Sequence, residues 1–171
     1  MTLPWSDPTH ALDESEKLLI ERQWLTIRIL WGSLLASLAV YVIIAHVIGS
    51  EGAVGIEPEP GDPEWLAHAP RYVLSVMSFG ILAAAFIIRG AAGNPKSRIS
   101  RTAGAYLPIV IVSSALCESI GIFGLIIFLM EGQFLWLYVF VGVSAAAMIL
   151  LRPRKRDLVD GVIRSKSRGD S

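Results

Sequence analysis

The chain has 171 residues, of which 53% are hydrophobic and 18% are charged, and its formal net charge is zero. A mean hydropathy of +0.56 and this low charged fraction exclude an ordinary soluble domain, in which about a quarter of the residues are charged. The composition is typical of a chain that is largely embedded in lipid.

The N-terminal segment 1–28 contains acidic and basic residues but no long apolar run. Within it, residues 13–23 favour a helix, because Asp13 or Ser15 can cap a first turn that is rich in glutamate. We predict an amphipathic cytoplasmic segment here. Its helix either continues into the apolar sequence that follows or lies on the membrane surface before it.

Four long apolar segments follow, at residues 29–48, 72–88, 107–130 and 134–151. A helix needs about 20 apolar residues to cross the hydrocarbon core, so each segment fits one crossing, the second and fourth being near the short limit. Lipid leaves backbone amides without other partners, which favours helices. We therefore predict an all-α fold, an integral membrane four-helix bundle whose membrane domain spans residues 29–151.

The loops between these segments differ strongly in charge. Loop 49–71 is acidic and rich in proline, whereas loop 89–106 and the tail 152–171 are basic. Every lysine and arginine except Arg71 lies on the same side of the four segments. The positive-inside rule assigns that side to the cytoplasm, so both termini are predicted to be cytoplasmic and loop 49–71 extracytoplasmic. The predicted location is a bacterial-type inner (plasma) membrane.

The basic tail begins with the run Arg-Pro-Arg-Lys-Arg, immediately after the fourth segment. Such a run at the end of a membrane helix fits anionic lipid headgroups, at about 1 kcal/mol for each basic residue. This interpretation makes a nucleic-acid-binding tail unnecessary, and we expect the lipid bilayer but no nucleic acid among the partners.

Small residues recur at four-residue spacing in three of the apolar segments. The pairs include Gly32 with Ala36, Gly80 with Ala84 and Gly142 with Ala146. Pairs of this kind allow helix backbones to approach closely in a membrane. We expect them to pack the bundle.

One carboxylate, Glu118, lies near the middle of the third segment. A charged side chain at the bilayer centre costs about 2.5 to 3.5 kcal/mol on insertion scales, so an intramembrane acid is a functional candidate. Ser114, Ala115 and Gly121 share its helix face at spacings of three and four. This narrow stripe of small residues predicts that Glu118 faces a neighbouring helix rather than lipid.

Two serines on other segments lie at a depth comparable to that of Glu118. They are Ser78 in the second segment and Ser144 in the fourth. Either hydroxyl could donate a hydrogen bond to the carboxyl group. We therefore add them to the candidate site.

Residues 115–125, Ala-Leu-Cys-Glu-Ser-Ile-Gly-Ile-Phe-Gly-Leu, resemble the second helix of the proteolipid c subunit of F-type ATP synthases. In that family a mid-membrane carboxylate is followed by a similar run of isoleucine, aromatic, glycine and leucine residues. A weaker resemblance extends over residues 72–130, through a loop that contains Arg89 and Pro95. The resemblance implies a hairpin that turns in the cytoplasm and a role for Glu118 in binding a proton or a sodium ion.

Other chemistry is sparse in the sequence. It contains no phosphate-binding loop, dinucleotide fingerprint, paired-cysteine motif or nucleophile elbow. The three histidines, His10, His46 and His68, lack the spacing of metal ligands. We expect no enzymatic activity, no cofactor and no metal site.

Two functional hypotheses remain open. The first is a small non-enzymatic membrane protein that acts by helix–helix interaction within or beside a membrane complex, as a homo-oligomer or with a partner. The second is a proton- or sodium-translocating protein similar to subunit c, with Glu118 as the ion-binding carboxylate. An ion path would need a partner that supplies a cation or a water channel, because a single carboxylate seldom forms one alone.

Overall fold

A computed structural model describes residues 13–50, 52, 55, 63–93, 106–155 and 159. The predictions for residues 1–12, for residues 51, 53–54 and 56–62 of the acidic loop, for residues 94–105 and for most of the basic tail fall outside the described residues. The described part of the chain is helical, as predicted, and contains four helices. In chain order they are α1 (Glu14–Ser50), α2 (Glu64–Gly93), α3 (Tyr106–Glu131) and α4 (Phe134–Leu150).

Three of the helices are long and apolar enough to cross a membrane. The segments that qualify are Lys17–Ser50, His68–Ala91 and Leu107–Glu131. The fourth helix is equally apolar, but its 17 residues extend only about 25 Å, against about 30 Å for the hydrocarbon core. The membrane character predicted from the sequence is thus confirmed for three helices, and the crossing by α4 stays a prediction.

The first helix is continuous over 37 residues, or about 55 Å, so it is much longer than one crossing requires. Of the two arrangements that the sequence allowed, the structure shows the N-terminal segment continuing into the apolar helix. Asp13 lies at its start, where a carboxylate oxygen accepts a hydrogen bond of 2.8 Å from the Glu14 backbone N–H. An acidic residue at a helix N-terminus also interacts favourably with the helix dipole.

The third helix is the centre of the assembly, because α1, α2 and α4 all pack against it. One buried cluster shows this directly, since it contains one or more residues from every helix: Leu38, Ala85, Cys117, Ala147 and Met148. A second cluster joins α3 to α2 and α4 through Ile120, Ile127 and Phe140. This central position fits the burial of Cys117, Ile120 and Ile127 on α3, each of which is at most 1% exposed.

A tight turn connects α3 to α4. Gly132 adopts φ +70°, and its N–H donates a hydrogen bond of 2.8 Å to the Phe128 carbonyl oxygen. This left-handed conformation is the usual end of a helix at glycine, because a side chain there would be strained. The turn leaves only residues 132 and 133 between the helices, which makes α3 and α4 antiparallel neighbours.

Among the glycines that the structure describes, those with close helix contacts lie on α3 and at the end of α1. A Cβ atom added at Gly124 would lie 2.6 Å from Phe140 Cβ, and one added at Gly121 would overlap Leu38. By contrast, Gly32, Gly80 and Gly142 have no atom within 4 Å of that position. The prediction that these three glycines pack the bundle is therefore wrong within the single chain, because the helix faces that carry them point outwards.

Candidate functional site

The carboxyl group of Glu118 is half-buried between α3 and α1. Its Oε1 atom accepts a hydrogen bond of 2.9 Å from the Tyr41 hydroxyl and a second one from the Ser37 hydroxyl. Ser37 and Tyr41 are four residues apart on α1, so both project from the same face of that helix. The prediction that Glu118 faces a neighbouring helix is confirmed, and that helix is α1.

Ser37 also has a second acceptor within reach. Its Oγ lies 2.6 Å from the Leu34 carbonyl oxygen, one turn earlier on the same helix. A hydroxyl has one proton to donate and can accept in return. Ser37 can therefore donate to an ionised Glu118, or accept a hydrogen bond from the protonated acid while it donates to Leu34. Tyr41 can donate in both cases, so the site satisfies either protonation state.

The surroundings of Glu118 contain hydroxyls rather than charges. No lysine, arginine or histidine forms an ion pair with it in the part of the chain that the structure describes. Both of its hydrogen bonds there use Oε1, which leaves Oε2 accessible to a group outside the chain. Within the same residues, no three His, Cys, Asp or Glu side chains are grouped so as to hold a metal ion.

The two serines that the sequence offered as hydrogen-bond donors to Glu118 are used elsewhere. Ser144 is buried on α4 and donates a hydrogen bond of 2.6 Å to the Cys117 carbonyl oxygen. Ser78 donates a hydrogen bond of 2.8 Å to the Leu74 carbonyl oxygen of its own helix. The physical reason is orientation: α2 and α4 pack against other faces of α3, while the face that carries Glu118 is turned to α1.

The small residues that were grouped with Glu118 do not share one environment. Ser114 and Gly121 are buried, and Gly121 lies directly under Leu38 of α1, within contact distance of Ser144. Ala115 is exposed. The predicted stripe is therefore divided. Gly121 belongs to the packed interface between α1, α3 and α4, and Ala115 belongs to a surface of α3 that none of the other described helices covers.

That uncovered surface, which we call the α3 open face, runs along the whole helix. Its exposed residues recur at helical spacing and are Pro108, Ile111, Val112, Ala115, Ile122, Ile126 and Leu129. Residues on the opposite side of the helix are buried against α2 and α4. Glu118 lies at the edge of the open face, on the side where α1 packs.

A second polar site joins α2 to the end of α3. Arg71 Nη1 lies 3.4 Å from Glu131 Oε2, and their side chains are only 16% and 7% exposed. The Arg71 guanidinium also lies 4.9 Å from the ring centroid of Trp136 and 5.2 Å from that of Tyr72. Sequence reasoning missed this pair, although Arg71 is the one basic residue on its side of the four segments and Glu131 ends the third.

A third polar contact joins α1 to α4 at the same end of the molecule. His46 Nδ1 lies 2.8 Å from the Val42 carbonyl oxygen, and the Tyr138 hydroxyl lies 3.0 Å from Nε2. Because a carbonyl oxygen can only accept, Nδ1 carries the proton and Nε2 accepts from Tyr138. This arrangement uses both ring nitrogens in packing.

Comparisons with known proteins do not assign the chain to a family. No protein-family model matches it, and no curated protein or solved structure is significantly similar to it. The class of protein is therefore defined by the fold and the site alone. It is a helical membrane protein with a half-buried carboxyl group between two helices. The resemblance of residues 72–130 to the c subunit stays a prediction.

Proposed function

We propose that this is a non-enzymatic multi-pass membrane protein that acts by helix–helix interaction within or beside a membrane complex. The observation that carries the proposal is the α3 open face. Within the described residues, the helix against which the others pack keeps a row of partly exposed side chains along one side, with Glu118 at its edge. We propose that a transmembrane helix of a second chain packs there.

The composition of the open face supports this role. Lipid tails are as apolar as leucine, so helices associate in membranes through close packing at small residues and through polar contacts. Ala115 supplies a small residue in the middle of the face, and Glu118 Oε2 supplies a hydrogen-bond acceptor beside it. A partner helix that presents a donor at this depth would contact both.

A pair of tryptophan substitutions tests the proposal. Ala115→Trp places a bulky side chain on the open face, whereas Val143→Trp places one on an exposed position of α4. Association should be measured as the size of the complex extracted from the membrane in mild detergent. We expect Ala115→Trp to reduce the complex to the single chain and Val143→Trp to leave it intact. If both variants gave a complex of the same size, the open face would not be the contact surface.

We further propose that all four helices cross a bacterial-type plasma membrane with both termini in the cytoplasm. The distribution of basic residues supports this orientation, since only Arg71 lies on the opposite side. The ion pair between Arg71 and Glu131 is consistent with it, because it neutralises that one arginine at the outer surface. The 17 residues of α4 suffice for an upright crossing in a locally thin bilayer.

A second candidate function is favoured by one specific observation at Glu118. Its partners are the hydroxyls of Ser37 and Tyr41, which accommodate both the acid and the carboxylate. We propose as the alternative that Glu118 takes up and releases a proton or a sodium ion, as its resemblance to the c subunit implies. The translocation path would then be completed by a partner at the open face.

Dicyclohexylcarbodiimide separates the two candidates, because it modifies protonated carboxyl groups in apolar surroundings. The ion-carrying hypothesis predicts modification of Glu118 near neutral pH, and protection by sodium if that is the ion. Glu131 is the internal control, since its carboxylate forms an ion pair with Arg71. Glu118→Gln should then fold normally and abolish activity. If Glu118 stays unmodified, or if the glutamine variant is fully active, the ion-carrying hypothesis fails and the interaction hypothesis remains.

A further inference from the structure

A cavity of about 820 Å³ lies between the first part of α1 and the segment that follows α4. Its walls are mainly basic and aromatic. The residues on which the inference depends are Trp24, Arg28, Trp31, Arg152, Arg154 and Lys155. This combination is unusual for a protein with no net charge, because it gathers four cations at one concave surface.

The cavity lies at the boundary between the polar and the apolar parts of two helices. Arg28 is the last charged residue of α1 before the apolar sequence begins at Ile29, and Arg152 is the first charged residue after Leu151. Tryptophan side chains prefer this depth, at the interface between headgroups and acyl chains. The cavity is therefore placed where lipid headgroups lie.

Two contacts hold the walls of the cavity together. Trp31 Nε1–H donates a hydrogen bond of 3.2 Å to the Met148 carbonyl oxygen, which joins α1 to the end of α4. Lys155 forms an ion pair with Glu21, which joins the segment after α4 to the first turns of α1. The cavity is formed before any ligand enters, so binding would not have to order its walls.

Among the residues that the structure describes, no carboxylate neutralises the charges of two arginines in the cavity. Arg28 and Arg152 are exposed, and neither is paired with a carboxylate within the described ranges. A guanidinium group binds phosphate oxygens through two parallel hydrogen bonds. Arg28 lines the cavity from α1, and Arg152 lines it from the segment after α4.

We propose that this cavity binds the phosphate headgroup of an anionic phospholipid, in the leaflet where the apolar part of α1 begins and α4 ends. A lipid fits better than free phosphate, because apolar side chains next to the cavity are open to acyl chains. These include Ile29, which is 62% exposed, and Leu150, which is 73% exposed. The lipid would join α1 to α4 on the side of the membrane opposite the pair of Arg71 and Glu131.

The test is a lipid titration of the purified full chain, with bound lipids counted by native mass spectrometry. Phosphatidylglycerol is compared with phosphatidylcholine on the unaltered protein, and then on Arg28→Gln/Arg152→Gln. The matched control is Lys17→Gln/Arg22→Gln, which removes the same charge from the same end of the protein but outside the cavity. A competition arm adds excess inorganic phosphate to the phosphatidylglycerol complex.

The proposal predicts one tightly bound phosphatidylglycerol per chain and weaker retention of phosphatidylcholine. The cavity variant should lose about thirtyfold in affinity, since two basic residues contribute about 1 kcal/mol each, and the control should bind normally. Arg28→Lys/Arg152→Lys keeps the charge but not the paired hydrogen bonds, so it should lose less affinity than the glutamine variant, which separates loss of charge from loss of folding. Equal retention of the two lipids, equal losses in cavity and control variants, or displacement by inorganic phosphate would overturn the lipid site.

Discussion

The hydroxyl of Tyr41 donates a hydrogen bond of 2.9 Å to Glu118 Oε1, across the interface between α1 and α3. The two residues are 77 positions apart in the chain, and the contact brings a polar side chain of the first helix to the one carboxyl at mid-membrane depth. A buried polar group costs free energy unless it is hydrogen-bonded, so this contact lowers the cost of keeping Glu118 in the membrane.

The first prediction concerns the strength of this contact. Tyr41→Phe removes the hydroxyl but keeps the ring, and it should lower the free energy of unfolding by about 0.5 to 1 kcal/mol, the range for hydrogen bonds between membrane helices. In a double-mutant cycle with Glu118→Ala, which removes the acceptor, the two changes should be non-additive. Tyr72→Phe is the control, because that residue is 61% exposed and its ring contact with Arg71 is preserved. Simple additivity would show that the two side chains do not interact.

The second prediction uses three glycines that differ in their surroundings. Gly124→Ala should destabilise the fold by about 1 to 3 kcal/mol, because the added methyl group meets Phe140 Cβ and the Leu137 backbone, neither of which can move freely. Gly121→Ala should lower the free energy of unfolding less. The one close neighbour of its added methyl group is the flexible end of Leu38, while Ser144 lies at ordinary contact distance. Gly142→Ala should be neutral or stabilising, because nothing lies within 4 Å. Unfolding in detergent measures all three, and the reverse order would contradict the packing of α3 against α4.

The third prediction concerns the ion pair between Arg71 and Glu131. Removing one partner leaves a buried charge without compensation, so Arg71→Ala should destabilise the protein by about 3 kcal/mol or more. Replacing both residues together, with Met at position 71 and Gln at position 131, should recover most of that loss. Thermal unfolding of the single and double variants provides the measurement. A double variant as unstable as Arg71→Ala would show that the ion pair itself contributes little.

The helices could be predicted from the sequence because long apolar runs have one stable form in lipid. Their ends were less predictable. The first helix begins at Glu14, in agreement with the predicted continuation of residues 13–23 into the apolar segment, whereas the second begins at Glu64 rather than near residue 72. Polar residues carry both helices beyond the apolar runs, so hydropathy marks what lies in the membrane and not where a helix begins.

The site was predictable only in part. Glu118 stands out as a carboxylate in an apolar run, but its partners Ser37 and Tyr41 lie on another helix, and no local pattern links them to it. A signal was nevertheless present, since the two hydroxyls recur four residues apart in the middle of the first apolar segment. Choosing between them and Ser78 or Ser144 required the packing of the helices, which depends on long-range contacts.

The fourth prediction concerns orientation in the membrane. With Cys117 replaced by serine, a cysteine at Ser50 should react with a membrane-impermeant thiol reagent added outside intact cells, because it lies at the end of α1. A cysteine at Ser167 should react only after the cells are permeabilised. The reason is the positive-inside rule, which places the basic tail in the cytoplasm. Labelling of position 167 from outside would show either that the topology is reversed or that α4 does not cross the membrane.

The proposed function rests on the α3 open face, and photo-crosslinking in intact membranes tests it most directly. A photoreactive amino acid is placed at Ala115 or Ile122 on that face, and at Gly142 on the exposed surface of α4 as the control. The proposal predicts an adduct of discrete mass from positions 115 and 122 and none from position 142. The mass then distinguishes a second copy of the chain from another protein. Adducts with lipid alone at positions 115 and 122, or the same protein adduct from all three positions, would contradict the account.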